Sequence, residues 1–550
     1  MVTLLANGLP VLAPIVVAAL LARPGRIRAA AIAAAPWLPL LLFFPLLLHR
    51  PSALSFALLE LRLGADPVSA PLIVLCGVAW SLAGWFAAAR VRRDRVLFWS
   101  GWLISLAGIA LALLAQDVAG FYAGYSALSL ASWLLIIHAR SEAARRAGRV
   151  YLVLALVGEM AVFAGIVAIA SEAGNAVLAE LVDGTCAAPG WHWLILAGFA
   201  VKMGILPLHL WLPLAHPVAP VPASAILSGV IVKAGLLGWL RLVPPGAGGS
   251  ELFGPALLAL GMLTAFAGVA LGLAQRRVKV VLAYSTISQM GLVLAAYAAL
   301  LMAPASFEAL LPWLGVLILH HGLNKAALFL ACGCAPGRSV LRGVLVALPA
   351  LAIAAAPLTT GMLAKTGLKA MLGEAGVGYG WTLVLSLSST ATALLLWHFW
   401  RLVRQEREYR TAHPAWVAMT VAGLILPWAW AVTHGLDLHL AGALWPAAWP
   451  LALAAALIAS RRLLAPKLEI DVPAGDLVVV LEKAAAGLGA ATRRIAGSGH
   501  FQIPNLYPVH VRLTRALLWL ERKMTSLPVA GLLILGLGGL LWLVARLADF

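Results

Sequence analysis

Polar residues act as punctuation in this chain. Apolar runs of about twenty residues follow one another with short breaks, and each is long enough to cross a hydrocarbon layer as a helix. The pattern predicts sixteen spans, near 2–22, 29–48, 67–89, 96–115, 117–138, 149–170, 192–215, 223–242, 253–274, 280–301, 308–332, 339–372, 380–403, 414–433, 441–463 and 528–547. The first run lacks a basic leader and a small-residue cleavage site, so it reads as a span rather than a removable signal. Two runs are interrupted. Prolines at 207, 213, 217, 220 and 222 cannot all sit in one continuous helix, and Pro357 with Gly361 suggests a second break inside 339–372. Beyond 463 the pattern changes. Residues 476–496 and 509–524 place apolar positions three and four apart, as in amphipathic helices, with GSGHFQIPNLYP (497–508) between them. The predicted fold class is an all-α polytopic membrane protein.

Composition agrees. The chain is 63% hydrophobic and 11% charged, against roughly a quarter charged in soluble domains. Its net charge of +18 does not imply nucleic acid, because the cations are placed by loop. Arginines gather in alternate loops: Arg23, Arg26 and Arg28; Arg90, Arg92, Arg93 and Arg95; Arg140, Arg145, Arg146 and Arg149; Arg276 and Arg277; Arg401, Arg404, Arg407 and Arg410. The longest opposite loop, 171–191, carries Glu172, Glu180 and Asp183 instead. By the positive-inside rule both termini lie outside a cytoplasmic (inner) membrane, and 464–527 lies in the cytoplasm. Cys76, Cys186, Cys332 and Cys334 make no metal or iron–sulfur pattern, and there is no nucleotide-binding loop. No redox cofactor, metal or nucleic-acid partner is expected.

The candidate chemistry lies inside the spans. Nine lysines stand against thirty arginines, yet Lys202, Lys233, Lys325, Lys365 and Lys369 fall within predicted spans. A lysine at the bilayer centre costs about 2.5–3.5 kcal/mol on insertion scales. Arginine keeps its proton there, whereas a desolvated lysine can release one. Snorkelling to the headgroups is the alternative for a lysine near a helix end, and it fits Lys369 better than Lys202 or Lys233. Lys202 precedes its prolines while Lys365 follows Pro357, a mirror order that an inverted repeat would produce. Glu159 is the lone acid near the centre of 149–170, and Lys202 is its expected partner. Two such groups would titrate as a coupled pair. His321 lies one turn from Lys325 on the same face, with His320 beside it. His209 and His216 flank the first break as access or relay candidates.

These residues also carry a resemblance. PLHLWLPLAHPVAPVPASAILSGVIVKAGLLGWLRL (207–242), VLAYSTISQMG (281–291), HHGLNKAALFLACG (320–333) and GMLAK (361–365) occur in one order. Together they resemble the antiporter-like subunits of respiratory complex I, the Mrp antiporter D subunits, and the membrane subunits of energy-converting hydrogenases and formate hydrogenlyase. The resemblance covers roughly 60–450. It implies two inverted five-helix repeats, each with a broken helix, over 96–245 and 246–405. Helices 1–95 would precede them and 406–463 follow. The segment 464–527 would resemble a lateral helix, and 528–550 the last span. Lys202 would be the lysine of the first broken helix, Lys233 the connecting lysine, His321 and Lys325 the central relay, and Lys365 the terminal lysine. Two positions depart from the pattern. In FYAGYSALSLASWLLI (121–136), Ser126 stands where the family has a glutamate, and Glu159 on the next helix is the candidate replacement. Arg277 stands where the family tends to have aspartate.

The expected function is proton or cation translocation as one subunit of a larger redox complex, among other membrane subunits. The alternatives are an Mrp-type cation/proton antiporter subunit and the membrane energiser of an inorganic-carbon uptake system.

Overall fold

The computed structural model describes residues 2–48, 51–56, 59–173, 189–247, 249–334, 339–405 and 411–464. The chain divides into a unit of residues 1–474 and one of 475–550. The predicted amphipathic helices and the 528–547 span lie outside the described residues.

Twelve helices among the described residues are long and apolar enough to cross a membrane, and each coincides with a predicted span. Run 2–22 forms the shorter helix α1 (Val2–Leu20), and runs 192–215 and 339–372 are the two interrupted ones. The chain continues through α2 (Arg26–Ala34), a 3-10 stretch (Ala35–Leu42) and α3 (Phe43–Leu48). A short antiparallel hairpin then follows, β1 (Ser52–Phe56) against β2 (Leu59–Leu63), with Ser52 opposite Leu63. Next come α4 (Ala70–Arg90), α5 (Arg95–Leu114), α6 (Val118–Ile136) and α7 (Glu142–Ala173). The first broken region holds α8 (Pro189–Met203), α9 (Trp211–Val218), α10 (Val221–Gly229) and α11 (Ala234–Leu242). After it run α12 (Gly254–Leu273), α13 (Val278–Met302) and α14 (Phe307–Ala331). The second broken region is α15 (Val340–Ile353) and α16 (Thr360–Glu374), and α17 (Tyr379–Gln405), α18 (Pro414–Thr433) and α19 (Leu440–Leu464) complete the described part.

Close packing rests on small residues, as it must where lipid supplies no hydrophobic drive between helices. A Cβ on Gly261 would lie 2.6 Å from Gly291 O, and one on Gly291 would lie 2.4 Å from Gly261 O. So α12 and α13 cross at backbone contact. Helix α14 is central, touching α4, α10, α13, α15, α16 and α18. It therefore lies between the two broken regions, and all its residues from Leu314 to Ala331 are buried.

Helix α7 shows how one helix separates lipid from interior. Val153, Leu156, Val157 and Met160 are exposed, whereas Tyr151, Ala155 and Glu159, spaced by four, are buried. At the helix ends, the loops that carry arginine meet: Arg140 pairs with Asp94 at 3.2 Å, and Arg90 donates to Thr411 O. A different corner is locked by Arg241, buried at the end of α11. Its guanidinium donates to Leu113 O, Ala115 O and Asp66.

Candidate functional site

Both breaks end their first helix in the same way. At the first, Gly204 (φ 70°) follows α8; its N–H donates to Val201 O and the next N–H, from Ile205, reaches back to Ala200 O. At the second, Ala355 (φ 62°) takes the left-handed place, its N–H donating to Ala352 O and that of Ala356 to Leu351 O. This paired pattern is the Schellman ending, which satisfies carbonyls that a stopped helix leaves open. Backbone freed at membrane depth must find partners within the protein. The Trp211 indole supplies one, donating to Val201 O at 2.7 Å.

Lys202, the penultimate residue of α8, is buried beside this break. Its ammonium donates to the Tyr151 hydroxyl at 3.1 Å and lies 5.2 Å and 5.5 Å from the ring centres of Tyr151 and Tyr125. The Tyr151 hydroxyl in turn donates to Ser129 O at 2.8 Å. The charges of Lys202 and Glu159 act on each other, but no ion pair within 4 Å joins them among the described residues. The expected direct partnership is replaced by an aromatic cage that holds the cation through ring quadrupoles and one phenol. Glu159, 4% exposed, instead faces the hydroxyls of Ser126 and Ser129 without reaching hydrogen-bond geometry with either. The acid on α7 thus projects toward the α6 position that carries serine.

The second group forms around α14. A 3-10 turn (Ile231–Lys233) interrupts the helix between α10 and α11. The buried Lys233 ammonium returns to the carbonyls exposed there, Gly229 O at 2.5 Å and Ser228 O at 3.4 Å. Lys325, fully buried on α14, donates to Leu282 O at 3.2 Å. Two hydroxyls lie between the backbone carbonyls that the two ammonium groups use. The Ser228 and Thr286 hydroxyls lie 2.7 Å apart, and Thr286 also reaches Leu282 O at 2.9 Å. His321 is fully buried with no hydrogen-bond partner on either ring nitrogen among the described residues, and the charges of Lys233 and Lys325 act on it. His216 stacks on Phe329 at 4.5 Å and feels Lys325 and Lys279. His209 sits in the first break, 6.3 Å from the Tyr284 ring.

His320 points the other way, toward the second break. Its Nδ1 lies 2.9 Å from the Thr360 hydroxyl, which donates to Gly423 O. The Asn324 amide nitrogen lies 3.4 Å from the same Nδ1. Asn324 donates to His320 O and Gly423 O, tying α14, α16 and α18 at one point. A void of about 10 Å³ is lined by both His320 and Lys365. Lys365, five residues into α16, donates to Leu385 O at 3.0 Å and to the Ser388 hydroxyl. Lys369, one turn on, is half-buried.

The structure therefore gathers Lys233, Lys325, His320 and His321, all buried, with the half-buried Lys365 and Lys369 into one series, and keeps Lys202 with Glu159 as a separate group. Each of the lysines Lys202, Lys233, Lys325 and Lys365 rests on carbonyls, hydroxyls or aromatic faces. Such partners hold an ammonium yet let it give up its proton without stranding a buried carboxylate. Sequence reasoning missed Tyr125, Tyr151, Ser228, Thr286, Thr360 and Asn324. The legible signal was spacing: Tyr151 lies two turns from Glu159 on one face, and Ser228 and Thr286 lie inside the quoted motifs. No three His, Cys, Asp or Glu side chains converge as a metal-ligand set among the described residues.

Residues 115–342 match the family described as NADH:quinone oxidoreductase/Mrp antiporter, TM, which bears out the resemblance read from the motifs. Hydrogenase-4 component B of Escherichia coli (strain K12) is 32% identical over 243 residues, covering 42% of this chain and 36% of that protein. The chain spans less than half the length of its first curated relatives. Two solved structures share the fold. The Mrp complex from Dietzia sp. DQ12-45-1b gives a TM-score of 0.72 at 19% identity, over 96% of this chain and 63% of that one. The membrane-bound sulfane sulfur reductase, an archaeal respiratory membrane complex, gives 0.68 at 18%, over 83% and 99%.

Proposed function

We propose that this chain, whose residues 115–342 carry the membrane domain of that family, is the proton-translocating subunit of a larger membrane complex. The observation that carries the reading is the series of lysines that have neutral partners, extending along α14 from one broken region to the other. The proton path runs from the Glu159–Lys202 group through Lys233 to His321 and Lys325, and by way of His320 to Lys365. His209, His216 and Lys369 serve access and exit. Water completes the path at the unsatisfied nitrogens of His216 and His321, which buried polar atoms of that kind recruit.

In this reading 96–245 and 246–405 are inverted half-channels, each with one broken helix. Helices 1–95 and 406–463 flank them, sixteen spans cross the inner membrane, and both termini lie outside. The segment 464–527 is a cytoplasmic lateral helix that contacts neighbouring subunits before the span of 528–550. Matching Ser126 against Glu159 explains how the acid survives: it is delivered from α7 to the site that α6 would otherwise fill. In this reading energy reaches the chain by conformational or electrostatic coupling from its neighbours.

Purification of the tagged chain in mild detergent, followed by mass spectrometry, tests the assignment to a complex. Iron–sulfur or nickel–iron subunits are expected to accompany it. Recovery of only small Mrp-like membrane subunits, or of one soluble enzyme, would move the assignment to gradient-driven transport.

A further inference from the structure

We propose that the cavity beside Lys365 and Lys369 binds a small monovalent anion of chloride size. The cavity measures about 170 Å³ and lies between α16, α17 and α19. Its polar lining is Lys365, Thr366, Lys369, Ser386, Ser389 and His439, with alanines, a glycine, a proline and Met362 making up the rest. Two ammonium groups, three hydroxyls and an imidazole face one space, and no carboxylate lines it. Every charged or chargeable group there is cationic.

The lysines are not satisfied in the same way. Lys365 has used donors on Leu385 O and Ser388, while Lys369 has no hydrogen-bond partner among the described residues. The two act on each other as like charges. Asp437 pairs at 2.8 Å with the lining residue His439 but does not itself line the cavity, and Glu374 accepts from Ser306 at 3.3 Å. Two like charges in a partly dry cavity repel strongly, and an anion between them turns that repulsion into attraction. Lys369 and Ser389, whose donors are not used by other described residues, supply the N–H and O–H groups to coordinate it, while the Ser386 hydroxyl donates to Thr382 O. With a water occupying about 30 Å³, the space holds such an anion with several waters. The site shares Lys365 and Lys369 with the proton path proposed above and in that respect rests on the same side chains, but its occupancy is read by anion binding rather than by proton movement.

Equilibrium dialysis of radiolabelled chloride against the purified full-length chain, in potassium gluconate buffer, tests this directly. Saturable binding that bromide displaces is expected. Lys369→Gln should weaken it about tenfold or more, the loss expected for one charge-assisted bond. The cavity-filling Ala443→Phe, which leaves both lysines in place, should weaken it as well. Arg277→Gln, which removes an exposed cation elsewhere, should leave it unchanged. Absence of saturable binding to the wild-type chain would overturn the proposal. So would binding that both cavity variants retain, or that Arg277→Gln weakens equally.

Discussion

At the residue scale the account turns on what each buried lysine touches. A buried lysine paired with a carboxylate is held charged, and removing either partner strands the other at a cost of about 3–5 kcal/mol. Here Lys202 has a phenol and two ring faces, Lys233 two carbonyls, and Lys325 one carbonyl. The Ser228 and Thr286 hydroxyls placed between the carbonyl partners of Lys233 and Lys325 yield a specific expectation. Thr286→Val keeps the shape of the side chain and removes the hydroxyl, so proton transfer by the assembled complex should slow while the complex still forms. Unchanged transport would show that the lysines communicate by another route. Glu159→Gln preserves packing but cannot cycle a proton, and it should be nearly as damaging. Wild-type activity there would mean that Ser126 has no replacement. The charged residues of this site were legible because a charge inside an apolar run is conspicuous. The cage was not, because Tyr125 and Tyr151 read as ordinary packing until two helices bring them to one ammonium.

At the element scale the two breaks differ in one residue. Gly204 adopts its left-handed conformation without a steric penalty, whereas Ala355 and Leu358 (φ 60°) take the same region with a Cβ. Ala355→Gly should therefore raise stability by about 1 kcal/mol, read as a higher melting temperature of the detergent-purified chain. A lower one would show that the alanine methyl does more in packing than it costs in strain. Gly361 next to this break has no such freedom to spare, since a Cβ there would lie 1.8 Å from Ala352 O. The prolines announced the first break and Pro357 the second, so both interruptions were legible. The hairpin β1–β2 was not anticipated, although Leu59, Leu61 and Leu63 alternate with Glu60 and Arg62 in the two-residue period of a strand. A five-residue strand is too short to stand out between twenty-residue apolar runs.

At the scale of the whole molecule, helix α14 joins what the sequence shows only as separate motifs. It sits between the broken regions, with Lys325 bonded to α13 and His320 to α16. No local pattern reveals that arrangement, since it follows from glycine contacts such as Gly229 against Gly322 O, where a Cβ would lie 2.8 Å away. The central claim is that these lysines work by losing and regaining protons, and Lys202→Arg tests it most directly. Arginine keeps the charge in the aromatic cage but does not release its proton. Proton movement should be measured in vesicles containing the assembled complex, driven by its own energy source. The account predicts an intact complex in which Lys202→Arg abolishes coupled proton movement. Normal movement in that variant would contradict it.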